Sequence, residues 1–185
     1  MIKRFVKVPY PILNLKVSVQ TKYLFVSLMH FRSGRKKSIK VSMKKVSEIS
    51  GMKERQMSTH IKKLCNLCVL SRRQTYYGNT NYGCNIYTIT CSENYYAAIP
   101  WEVAFNSELT AYSVIGYCVL KRNIDLRKND FACFLTKQQL ANQIGCSLNH
   151  VDKIKRNLRK AGLIEFGHND IKITLIYEKM NAAKS

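Results

Sequence analysis

Apolar residues recur along this chain at helical spacing, broken by short extended runs, and one order of elements appears twice. In the first series, extended residues around Val8-Pro9-Tyr10 precede a helix from Val19 to Phe31 and a brief strand from Ser38 to Val41. A second helix starts at Ser42, Gly51 marks a turn, and a third helix runs from about Lys53 to Asn66. A long hairpin closes the series: Val69 to Thr75, a Gly- and Asn-rich tip from Gly78 to Gly83, and Asn85 to Thr90. The second series starts at Ile99-Pro100-Trp101 and gives a helix from Ala111 to Arg122 and a strand from Ala132 to Leu135. A helix from Thr136, a turn at Gly145 and a helix from Ser147 to Ala161 follow, then a short hairpin from Leu163 to Tyr177 with its tip at Gly167 to Asp170.

The two series align at a shift of 91 residues near their starts, which sets Leu24 on Ile115 and Met29 on Leu120. Further on the shift is 94, with Val41-Ser42 on Leu135-Thr136, Gly51 on Gly145, Met57 on Val151 and Leu64 on Leu158. The extra residues fall between helices, where chains absorb length changes, so an internal repeat is expected. Local chemistry agrees. Thr136 with Gln139 forms a capping box, Ser42 caps without that reciprocal partner, and Gly162 suits a left-handed helix stop where the first series has Cys68. The segment from Cys91 to Ala98 reads as the joint between domains 1–91 and 92–185.

Charge narrows the function. Lys and Arg number 31 against 11 Asp and Glu, a formal net charge of +20 that calls for a polyanionic partner, nucleic acid first and an anionic membrane second. No run is long and apolar enough to span a bilayer, and the basic start Met1 to Lys7 does not continue as a secretory signal, so no membrane association is expected. Seven scattered cysteines suit a reducing cytoplasm. Cys65-Asn66-Leu67-Cys68 has the CxxC form, but no second pair follows at ligand spacing; no metal or other cofactor is expected.

The stretch from Leu140 to Ile164 carries the most chemistry. Leu140, Ile144, Val151, Ile154 and Leu158 can hold two helices together across Gly145, leaving Ser147, Asn149, His150, Lys153, Arg156, Asn157, Arg159 and Lys160 on or near a polar face. Such side chains reach base edges and phosphates in a major groove. With its Leu140-Ala141, Ile144-Gly145 and Ala161-Gly162-Leu163-Ile164, the segment resembles the helix-turn-helix of winged-helix proteins. The resemblance implies two winged-helix domains in tandem, mainly α with small antiparallel β wings, binding double-stranded DNA with the third helix of each. Carried across by 94 residues, the first copy offers Lys53, Arg55, Gln56, Thr59, Lys62 and Lys63, and its long wing adds Arg72, Arg73 and Tyr76. This copy departs from the pattern at His60, which replaces an apolar residue and is expected to pack, and at Cys68. Tyr10 and Trp101 are expected to anchor the core.

No catalytic pattern is present: the four histidines form no HExxH, there is no phosphate-binding glycine loop or GxSxG, and acidic residues are scarce. A non-enzymatic DNA-binding role is expected. The extended entry before each first helix is similar to the amino-terminal domains of plasmid and phage replication initiators, which implies a replication, partition or transfer-origin protein of a mobile element. A transcriptional regulator, and an architectural module that holds a protein partner through one domain, are the alternatives.

Overall fold

The computed structural model describes residues 5–34, 36–77, 81–124, 131–167 and 172–175. The first elements are β1 (Phe5–Pro9), α1 (Tyr10–Asn14), α2 (Val19–Met29), β2 (Ser38–Val41), α3 (Met43–Ser50), α4 (Glu54–Asn66), β3 (Leu70–Tyr77) and β4 (Asn81–Ile89). The same order then recurs as β5 (Tyr96–Pro100), α5 (Trp101–Ala104), α6 (Ala111–Arg122), β6 (Ala132–Phe134), α7 (Lys137–Ile144), α8 (Leu148–Lys160), β7 (Ile164–Phe166) and β8 (Lys172–Leu175). Each series closes its own three-stranded antiparallel sheet, ordered β2-β4-β3 and β6-β8-β7.

Most boundaries follow from local chemistry. Ser42 accepts from the Lys45 backbone N–H (3.4 Å) at the start of α3. Thr136 and Gln139 exchange hydrogen bonds of 3.2 and 2.9 Å at the start of α7, the expected capping box. Both of these helices stop at a glycine in the left-handed region, Gly51 at φ +67° and Gly145 at φ +85°. Cys68 enters the same region at φ +53°, where the second series has Gly162 at φ +67°. The helix stop is therefore kept without the residue that makes it cheap.

Tertiary structure corrects four expectations. The entry segments are strands, and they pair with each other: β1 runs antiparallel to β5 with Phe5 opposite Pro100 and Pro9 opposite Tyr96. Residues 96 to 98, expected in the joint, thus belong to β5, and the Tyr10 N–H donates to the Tyr95 carbonyl at 2.9 Å. Two short helices, α1 and α5, follow the repeat prolines. With a third sheet and a longer first hairpin the protein is mixed α/β rather than mainly α.

The fourth correction concerns register. The caps put the first helices 92 residues apart, not 91. Ser18 accepts from Thr21 N and Thr110 from Ser113 N, with hydroxyl pairs of 3.0 Å in both cases. Ten of the eleven α2 residues are buried. A helix buried on nearly every face has little hydrophobic phase, so a one-residue slip leaves its apolar matches intact.

One continuous core joins the two series, with Val8, Leu24, Phe25, Met57 and Leu64 in the same cluster as Ile99, Tyr117, Ile144, Ile154 and Leu158. Helices α2 and α6 pack against each other within it. Trp101 and Tyr10 are half-buried against it; Trp101 lies 4.5 Å from the His30 ring and 4.6 Å from Phe105, and Tyr10 stacks on Tyr95. No helix among the described residues is long and apolar enough to cross a membrane.

Candidate nucleic-acid interface

Helix α8 is amphipathic in the strict sense. Val151, Ile154 and Leu158 are at most 1% exposed and face α6 and α7. Burying three such side chains contributes roughly 1.5–3 kcal/mol each, which holds the helix down by one stripe and frees the rest. Ser147, Asn149, His150, Lys153, Arg156, Arg159 and Lys160 are exposed on the remainder.

These side chains are not equally free. The His150 ring stacks on Tyr112 (4.8 Å between centroids, 22° between planes), and its Nδ1 lies 3.0 Å from Ser147 Oγ. Its position at the start of α8 is therefore set by α6. Asn157 is half-buried, and its amide donates to Ser113 Oγ at 3.4 Å, so the structure gives it a partner inside the protein. Arg159 and Lys155 both lie over the Phe166 ring at the base of the wing, at 5.6 and 5.3 Å. Asp152 pairs with Lys137 of α7 at 2.6 Å, while Asn149, Lys153 and Arg156 point from the open face.

The same construction recurs in α4. Met57, Ile61 and Leu64 form the buried stripe, and Lys53, Arg55, Gln56, Thr59, Lys62 and Lys63 are exposed. The Gln56 side chain accepts from the Lys53 N–H (3.4 Å), closing the helix start. His60 packs as expected, its Nδ1 2.9 Å from Thr21 Oγ1, and burial followed by the nearby Lys63 charge pushes its pKa down. On β3, Arg72 and Arg73 are exposed, and Arg72 Nε donates to Asn85 at 2.9 Å, which steadies its guanidinium on the sheet. The side chain of Tyr76 and the wing-tip residues Asn79, His168 and Asn169 lie outside the described residues.

Cys65 packs on the core and Cys68 is exposed at the end of the helix. Among the described residues no three His, Cys, Asp or Glu side chains gather into a potential metal site.

Sequence reasoning missed one residue that holds the turn between α7 and α8. Lys22 is 2% exposed, and its ammonium donates to the carbonyls of Leu13 (2.8 Å), Ile144 (3.3 Å) and Gln143 (3.4 Å). A lysine of the first series thus caps the C-terminal end of α7, next to the turn into α8. Three carbonyls and the negative end of a helix replace its hydration. Burial, reinforced by the neighbouring Arg122 charge, lowers its pKa. The signal was present as the one charged residue in a mostly apolar helix, Val19 to Met29.

Residues 119–176 match the family model of a Crp-like helix-turn-helix domain, 58 of the 185 residues. The match spans the end of α6 and continues through β6, α7, α8 and the second wing. No curated protein and no solved structure matches the chain.

Proposed function

We propose that this protein is a non-enzymatic, sequence-selective binder of duplex DNA made of two winged-helix units, 1–91 and 92–185, with α8 and α4 as its reading helices. The observation that carries the reading is the build of α8. It shows an exposed face of Asn149, Lys153 and Arg156, fastened from behind by three buried side chains, within the segment that matches a helix-turn-helix model. The net charge of +20 supports the same partner. Asn149 at the helix start reads base edges. Lys153 and Arg156 reach guanine or phosphate, and Lys160 at the far end reaches phosphate. Arg72 and Arg73 extend the contact along the first wing. The protein serves either at origin repeats of a mobile element or at promoters; the Crp-like match favours promoters, and mapping the bound sites separates the two.

The test is a set of binding titrations on duplex DNA at several salt concentrations. With six to ten phosphate contacts the log–log slope is roughly −5 to −9. Asn149→Ala lowers discrimination between a selected site and random DNA about 5- to 150-fold and leaves the salt slope unchanged, whereas Lys160→Ala weakens all sequences alike. A slope near zero refutes DNA binding.

A further inference from the structure

The two series of elements meet in a way that constrains the DNA they can share. In the β1–β5 pair Phe5 faces Pro100, Lys7 faces Ala98 and Pro9 faces Tyr96. The 91-residue correspondence makes Phe5 the counterpart of Tyr96, Lys7 of Ala98 and Pro9 of Pro100. Exchanging the two strands therefore returns the same register, with its centre at Lys7 and Ala98. Only a twofold axis does this; units stacked head to tail would pair unlike elements.

Two further contacts obey the same axis. Helix α2 packs on α6, its own counterpart. The loop between α1 and α2 lies on the α7–α8 turn, where Val17 O approaches Gly145 and Lys22 holds the carbonyls of Gln143 and Ile144. Reciprocally, the α5–α6 loop (Asn106, Ser107) and the α3–α4 turn (Gly51, Met52) line one cleft. Each unit thus sets its entry loop beside the other's turn, the reciprocity of an isologous dimer built into one chain.

We infer that, when both heads engage one duplex, the target is an inverted pair of half-sites with unlike sequences. This rests on the proposed DNA-binding role. Twofold-related reading helices meet a duplex along opposite strand directions, so site symmetry mirrors protein symmetry. The half-sites differ because the faces differ: Arg55, Gln56 and Thr59 on α4 stand where α8 has Asn149, His150 and Lys153.

Equalising the heads tests the inference. The variant K53S/R55N/Q56H/T59K/K62R gives α4 the α8 face, and S147K/N149R/H150Q/K153T/R156K gives α8 the α4 face. All ten positions are exposed, so both cores are untouched. The parent and both variants are used to select from duplexes carrying about 40 random base pairs, a window that holds two half-sites one or more turns apart. The parent selects two unlike half-sites. Each variant selects a palindrome and prefers it about tenfold or more over a direct repeat of the same half-site at the same spacing, since a misoriented half-site acts as several mismatches. Direct repeats, or isolated half-sites, from the variants overturn the twofold arrangement on DNA while leaving DNA binding intact. A parent that enriches no sequence overturns both the inference and the proposed function.

Discussion

At Gly116 helix α6 lies close against α8, and a single methyl group there has a calculable effect. A Cβ at Gly116 would stand 2.6 Å from Ile154 Cγ2, 3.5 Å from Ile144 Cδ1 and 3.8 Å from Ile154 Cδ1. Carbon atoms rest at about 3.5–4.0 Å, so the first contact is about 1 Å too short. Ile154 is 1% exposed and β-branched within a helix, which leaves it a single favoured χ1. It must either leave its rotamer or move α8 away from α6. Overpacking of this kind costs about 1–3 kcal/mol, while Gly→Ala inside a helix returns about 1 kcal/mol. Gly116→Ala is thus expected to destabilise by about 0–2 kcal/mol, lowering Tm by about 2–4 °C per kcal/mol in a chain of this size. The background sets the sign. Beside Ile154→Ala, which removes Cγ2, the same change stabilises by about 1 kcal/mol; beside Ile154→Val, which removes only Cδ1, it remains destabilising. Denaturant unfolding of the single and double variants measures this. An equal effect of Gly116→Ala in the parent and Ile154→Ala backgrounds would refute the contact.

Two further outcomes follow from the backbone and the histidines. Cys68 holds φ +53° with its N–H bonded to Cys65 O and its carbonyl bonded to Thr90, and glycine can keep both bonds. Cys68→Gly is expected to stabilise by about 0.5–1 kcal/mol and Cys68→Ala not at all, read by thermal unfolding, because the left-handed region costs a β-carbon about 1–2 kcal/mol. Burial depresses the pKa of His30, and burial with the Lys63 charge depresses that of His60, so the folded state holds both rings neutral. The stability this represents is full above the ordinary value near 6.5 and is lost as pH falls through the folded values. Tm should drop between pH 7 and 5, and His60→Asn should shrink that drop; a parent Tm flat across this range would rule the coupling out.

The separate elements were legible because their causes are local. Thr136 with Gln139, the turn at Gly145, and the stripe of Val151, Ile154 and Leu158 lie within a few residues of what they control, so α7 and α8 could be placed from sequence. The exposed face of α8 followed from the same periodicity, for whatever is off the stripe is left to solvent. What sequence could not supply was the pairing of distant parts. Phe5 to Pro9 reads as an isolated extended entry, and nothing local says that its partner lies about ninety residues on in its own counterpart. The phase of α2 against α6 was hidden because both helices are buried on nearly every side, so hydrophobicity carries no direction there. Asn157, Tyr112 and Phe166 gained their roles only when α8 was laid on α6 and the wing on α8. Lys22 shows the division most clearly. Composition marks it as a surface cation, yet tertiary structure buries it on Leu13, Gln143 and Ile144, because only the assembled fold brings carbonyls from both halves of the chain to one ammonium.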